Sequence, residues 1–224
     1  MRTAITILIL ILVCATCCGS ERLPCAHPAV VRVTVQDGRG MMSLGTGVLA
    51  IDGDEKYMLT CGHTSSDAIN RRVATITTSD GTSHSVRLIA YDDTYDYAIY
   101  QSESLSAMPA GSFAQMGDGG YLAGKTVYAL GFGSNSQMVQ VAGRVRGYTA
   151  PRGESLSDWI EVDGEAISGD SGGPIFERGG SVVGILWGSD GNRIIATQIN
   201  RIRKTLRGIR GTSRRFASLP PGGT

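Results

Sequence analysis

Gly169-Asp170-Ser171-Gly172-Gly173-Pro174 is the stretch from which the rest of the chain is read. A serine hydroxyl is a weak nucleophile that needs a neighbouring base and a site for negative charge. Glycines on both sides of Ser171 let the backbone turn sharply, and they let a carbonyl group approach without meeting a Cβ. The N–H groups of Gly169 and Ser171 are then candidate donors to an oxygen that becomes negative. A glycine-rich hairpin carrying an ordinary serine is the plainer reading, and a six-residue match of this kind weighs against it.

The base must be a histidine, and the chain has three: His27, His63 and His84. His27 precedes the first strand, and His84 sits beside the hairpin at Asp80-Gly81. His63 follows the apolar strand Lys56-Tyr57-Met58-Leu59-Thr60-Cys61, where the chain leaves the sheet, so it is preferred. An orienting carboxylate is sought in Tyr91-Asp92-Asp93-Thr94-Tyr95-Asp96-Tyr97-Ala98-Ile99. Asp92 and Asp93 fall in a turn, where Asp is common for local hydrogen bonding. Asp96 opens an apolar strand and is the first choice for holding the tautomer of His63, with Asp93 as fallback.

Outward from these motifs, short runs rich in Val, Ile, Thr and Tyr recur between Asp-Gly turn signals. They predict strands near 29–36, 43–51, 56–61, 72–79, 84–91 and 96–101, then near 126–131, 137–148, 158–162, 173–177, 181–188 and 193–199. The fold class is therefore all-β: two six-stranded antiparallel barrels, about 27–102 and 126–208, joined by a surface linker over 103–125. One helix is expected at about 198–208, with Ile199, Ile202 and Leu206 as its apolar stripe. Residues 209–224 are expected to stay disordered.

Gly169 to Pro174 resembles the nucleophile motif of the trypsin and chymotrypsin family. Leu59-Thr60-Cys61-Gly62-His63 and Asp96-Tyr97-Ala98-Ile99 resemble its histidine and aspartate segments, in the same chain order. Gly45-Thr46-Gly47-Val48 looks like the compact bacterial branch that includes the Deg-type envelope proteases. The resemblance covers about 28–208. It implies a chymotrypsin-like fold and a serine endopeptidase using Ser171, His63 and Asp96, with Gly169 and Ser171 as the oxyanion hole. It also implies that the strand Gly184-Ile185-Leu186-Trp187-Gly188 lines the cleft, with Leu186, Trp187 and Gly188 pairing to substrate. Protein or peptide substrates and no cofactor follow from it.

Three departures qualify the likeness. No Ile-Val-Gly-Gly-like segment follows a basic cleavage site, so Asp170 needs another partner; Arg144 and Arg146 are candidates by sign and position. Thr64 stands where the family usually has a cysteine after the histidine. Glu165, six residues before Ser171, is either an acidic floor favouring a basic side chain or a surface carboxylate, and both readings stay open.

Composition sets the remaining bounds. The net charge of +1 and 42% hydrophobic residues describe a globular chain, with no general polyanion-binding character and no nucleic-acid partner expected. Arg2 and the apolar run Ala4–Val13 read as an export signal ending near Gly19, too short to span a bilayer. A periplasmic or secreted location follows, with lipid attachment at Cys14, Cys17 or Cys18 as a lesser alternative. Beyond the signal only Cys25 and Cys61 remain, and a disulfide and two free thiols are both open. Cys61 and His63 lie close, but no second metal-type pair accompanies them, so no metal site is expected. From Arg201 onward there are seven basic residues and no acidic one. Favourable interaction with the helix C-terminus is the plain reading of them, and contact with an anionic surface the sharper one. Two other functions are weighed. A catalytically silent peptide-binding protein keeps the fold without the chemistry. An α/β-hydrolase satisfies Gly-x-Ser-x-Gly at 169–173, but no histidine follows Ser171 to complete it.

Overall fold

The computed structural model describes residues 27–36, 40–65, 72–134 and 137–217, with side chains up to residue 211. The export signal, the lipid-attachment cysteines, Cys25 and residues 218–224 lie outside the described residues.

The first barrel contains β1 (Val30–Gln36), β2 (Met42–Asp52), β3 (Glu55–Thr60), β4 (Val73–Thr77), β5 (Ser83–Asp92) and β6 (Tyr97–Gln101). They run in the order β1-β4-β5-β6-β3-β2, and β1 pairs back on β2 to close the ring. Strand alternation supplies its interior: Val31, Val33 and Val35 of β1 are fully buried, while Arg32 between them is exposed. β3 and β6 read as continuous apolar runs because both faces are covered; Tyr57 to Thr60 and Tyr97 to Tyr100 are all buried.

The connection between the barrels is more ordered than a surface linker. It holds a short helix (Glu103–Ala107), capped by the Ser102 hydroxyl accepting from Leu105 N–H, and a 3₁₀ turn at Ala110–Ser112. β7 (Ala114–Gln115) then adds to β2 in parallel. Leu105, Phe113, Ala114, Met116 and Leu122 are buried, which is why this Ser- and Gly-rich stretch docks.

The second barrel has β8 (Thr126–Gly131), β9 (Val139–Thr149), β10 (Trp159–Asp163), β11 (Pro174–Glu177), β12 (Val182–Ser189) and β13 (Arg193–Gln198). It closes in the order β10-β13-β12-β11-β8-β9 through antiparallel pairing of β9 with β10. The fold is the expected pair of six-stranded barrels, with strand ends shifted by a few residues.

The terminal helix corrects an expectation. It runs over Ile199–Ala217, well past residue 208 into the stretch read as disordered. Ion pairs hold it: Arg203 to Asp52 at 3.1 Å and Arg210 to Asp52 at 3.0 Å. Arg210 also donates to the Tyr57 hydroxyl at 3.1 Å. These arginines therefore grip the first barrel, and Arg201 pairs with Asp92 at 3.1 Å. Among the described residues no helix is long and apolar enough to cross a membrane.

Ile199, Ile202 and Leu206 are at most 1% exposed and share one core with first-barrel residues. Ile202→Ala is expected to cost about 2–4 kcal/mol, the usual price of an aliphatic cavity. Urea unfolding checks this: the midpoint should fall while the slope stays unchanged.

Candidate active site

His63 stands on a single helical turn, Gly62–Ser65, directly after β3. Asp96 does not open β6 as expected. It lies one residue before the strand with φ +52°, a left-handed conformation that Asp tolerates better than most residues. From there its carboxylate grips His63 twice. His63 N–H donates to Oδ1 at 2.7 Å, and Nδ1 lies 2.8 Å from Oδ2. Asp93 accepts from the Tyr91 hydroxyl at 2.8 Å, which removes it as the fallback partner.

The Asp96 hydrogen bond raises the His63 pKa above imidazole's ordinary value. A contact with Cys61 acts in the same direction, and burial opposes both. The arrangement thus stabilises the imidazolium that forms once His63 has accepted a proton.

The terminal helix braces the segment that carries Asp96. Arg201 sits 3.7 Å from the centroid of the Tyr95 ring and pairs with Asp92. The hydroxyls of Tyr97 and Thr205 are 2.6 Å apart. The turn is therefore fixed on both sides of Asp96.

The loop carrying Ser171 packs on the first barrel. Thr46 N–H donates to Ser171 O at 2.8 Å, and the Thr46 hydroxyl donates to Gly169 O at 2.7 Å. Gly172, at φ +87°, fits where a Cβ would overlap the Thr60 hydroxyl and the Thr46 carbonyl. Gly169, at φ +97°, presses on the Gly133 carbonyl in the same way. Only glycine meets both demands, of conformation and of closeness. Ser171 is thus held against β2 and the β3 end that leads to His63.

The amides of this loop divide sharply. Asp170 N–H donates to Ile167 O at 3.0 Å, Gly172 N–H to Leu186 O at 2.7 Å and Gly173 N–H to Asp170 O at 2.9 Å. Gly169 N–H and Ser171 N–H have no acceptor among the described residues. Neutral donors left over beside a half-buried hydroxyl form a ready site for developing negative charge.

Asp170 is buried, and its partners are not the expected arginines. Oδ1 accepts from Gly133 N–H and Oδ2 from Ile167 N–H, both at 2.9 Å. Arg144 instead donates to Gly124 O at 2.8 Å, and Arg146 pairs with Asp163. Two backbone amides satisfy the carboxylate, so it needs no cation.

Leu186 is also reassigned. Its N–H donates to Gly173 O and its carbonyl accepts from Gly172, so its backbone is used within the protein. Trp187 occupies a bulge between Leu186 and Gly188 and packs on Trp159, with ring centroids 4.6 Å apart. Glu165 is exposed and lines a cavity with Ala129, Val141, Ala166, Asp170, Leu186 and Ile194. Cys61 is a free, buried thiol, and Cys25, the other half of the disulfide reading, lies outside the described residues. Its Sγ lies 2.9 Å from Thr64 Oγ1 and 3.6 Å from His63 Nε2. Among the described residues no hydrogen bond joins His63 to Ser171, and Nε2 contacts the Cys61 thiol.

With this geometry in view, likeness to known proteins becomes informative. The family model of the trypsin-like peptidase domain matches residues 45–185, more than half of the chain. The chain belongs to the trypsin-like peptidase family. Its relatives include the periplasmic pH-dependent serine endoprotease DegQ of Escherichia coli, 28% identical over 155 residues. That match takes in 67% of this chain and 32% of DegQ. A probable periplasmic DegP-like endoprotease of Rhizobium meliloti is 30% identical over 134 residues, 59% of this chain and 25% of that protein. The chain thus spans about a third or less of the curated relatives it matches. Among solved structures, a serine endoprotease from Yersinia pestis matches with TM-score 0.66 and 21% identity, over 82% of this chain and 63% of that one. The active form of a protease from M. tuberculosis gives 0.66 and 20%, over 88% and 84%. At these identities the structural matches speak for the fold, and they agree with the two-barrel architecture of this trypsin-like peptidase.

Proposed function

We propose that this chain is an exported serine endopeptidase that cleaves peptide bonds through an acyl-enzyme on Ser171. The observation carrying this reading is the pair of unpartnered amides at Gly169 and Ser171 that brackets the hydroxyl. In the first step Ser171 Oγ attacks the scissile carbonyl while His63 Nε2 takes its proton. The carbonyl oxygen becomes negative and meets the two amides. The C–N bond then breaks, and His63 returns the proton to the leaving amine. Water repeats the sequence, with His63 again as base, and frees Ser171. Asp96 holds Nδ1–H and stabilises the imidazolium in both halves. His63 must turn from the Cys61 thiol towards Ser171 as substrate binds, as often happens when a resting site tightens around its substrate.

Asp170 is proposed as the residue that sets the two amides in place, without any new N-terminus. Asp170→Asn puts an NH₂ group against one of two N–H donors. It is expected to lower kcat about 10²-fold, the scale of one misplaced oxyanion donor, with the folded circular-dichroism spectrum retained. Steady-state kinetics on one peptide substrate would show whether this loss occurs.

The cavity beside Asp170 has a volume of about 10 Å³, room for one water-sized group. Apart from Asp170 and Glu165 its lining is apolar, and its size leaves no room for a long chain, so a small apolar side chain is favoured at the attacked residue over lysine or arginine. The test is a cleavage profile on a peptide library, with Ser171→Ala as the blank. Cuts after small residues should outnumber those after Lys or Arg by ~10-fold, the discrimination a tight pocket achieves. A Lys or Arg preference that disappears in Glu165→Ala would restore the acidic-floor reading.

A catalytically silent peptide-binding protein is the second reading, favoured by the missing bond between His63 and Ser171. It requires that the library emerge uncut.

A further inference from the structure

We infer that Cys61 and His63 form a zinc-binding pair, with Asp96 orienting the imidazole, so that Zn²⁺ and peptide substrate compete for His63. The competition rests on the proposed role of His63 as base; the metal site does not.

Three observations carry the inference. Cys61 Sγ and His63 Nε2 are 3.6 Å apart. Adjacent ligands on a tetrahedral zinc, with Zn–S about 2.3 Å and Zn–N about 2.0–2.1 Å, stand about 3.5 Å apart. The thiol and the imidazole thus already hold the separation that a shared zinc requires. Second, Nδ1 lies 2.8 Å from Asp96 Oδ2. Zinc-bound histidines commonly give their other ring N–H to a carboxylate, which fixes the tautomer and leaves a lone pair for the metal. Third, the ligand atoms of Cys61, His63 and Asp96 all lie within 4.8 Å of one another. Both Asp96 oxygens are engaged with His63, so Asp96 supports the metal from behind the imidazole.

The donor set selects the ion. A thiolate and an imidazole suit zinc or cobalt, whereas calcium and magnesium require oxygen ligands. Cys61 is buried but His63 is half exposed, so the metal enters past the imidazole. Binding releases the thiol proton and, from an imidazolium, the Nε2 proton: Zn²⁺ replaces H⁺ on Cys61 Sγ and on His63 Nε2, and no electron is transferred. The Thr64 hydroxyl, 2.9 Å from Sγ, is placed to donate to the resulting thiolate. With two protein ligands the site keeps open positions for water, which makes occupancy reversible. No metal was expected from the sequence, which offers no second Cys or His pair; the fold supplies Asp96 behind the imidazole instead.

The test is a titration of the full chain with CoCl₂, read at the near-ultraviolet thiolate-to-cobalt charge-transfer band. A saturable band should form, ZnCl₂ should displace it, and both Cys61→Ser and Cys61→Ala should remove that component; two variants guard against one failing to fold. In parallel, ZnCl₂ should slow fluorophosphonate labelling of the natural chain at least ~10-fold more than that of either variant, each scaled to its own metal-free rate. A band that neither variant reduces, or none at all, overturns the inference even in an active enzyme. A Cys61-dependent band in a chain that never labels keeps the metal site and sinks the proteolytic reading instead.

Discussion

Ser171→Ala is expected to reduce kcat on the order of 10⁶-fold, with KM changed only a few-fold. The substitution removes the attacking oxygen and leaves the binding surfaces in place. Ser171 is half-buried, and its carbonyl is held by Thr46 N–H at 2.8 Å, so loop position does not depend on the hydroxyl. Gly169 and Ser171 N–H survive the change. They should sustain the residual ~10³-fold catalysis over water that an oxyanion site gives without its nucleophile. Stopped-flow or end-point hydrolysis of one good peptide substrate measures the difference. A variant retaining a tenth of the activity would place the nucleophile elsewhere.

Asp96→Asn should lower kcat about 10⁴-fold while the fold persists. The substitution keeps an oxygen that can still accept from His63 N–H, now 2.7 Å from Oδ1. The NH₂ group takes the position facing Nδ1 and forces that nitrogen to accept a hydrogen bond. The ring proton then moves to Nε2, where a lone pair is required. Asp93→Asn should stay within about twofold of the natural rate, because Asp93 is engaged with Tyr91. Comparing kcat for the two variants on one substrate decides between the carboxylates. Equal losses would mean that neither orients the base.

Much of the fold was readable because strand alternation and turn chemistry are local. The runs containing Val30–Gln36 and Thr126–Gly131 show their strand character without help from distant residues. The terminal helix was misjudged for the opposite reason. Its continuation past residue 208 depends on Asp52 and Tyr57, more than a hundred residues away, holding Arg203 and Arg210. The linker was misread likewise, since β7 gains its pairing only when β2 is beside it.

The site divides along the same line. Ser171, His63 and Asp96 stood out because each sits in a short motif, and the structure brings Asp96 onto His63. What supports them was hidden, because it comes through space and from backbone groups. The Gly133 and Ile167 amides on Asp170 carry no residue-type signature. Thr46 was noted only as part of a Gly-Thr-Gly run, yet it clamps both Gly169 and Ser171. Cys61 invited a disulfide reading, although its two-residue spacing from His63 was the only sign of the contact that forms.

The most direct measurement of the central claim is peptide mapping by mass spectrometry after treatment with a fluorophosphonate. Such a reagent bonds only to a serine whose oxygen is activated by a base beside an anion site. One adduct is predicted, on Ser171, and it should be absent after His63→Ala. An unmodified Ser171 in the folded protein, or equal labelling without His63, would contradict the account.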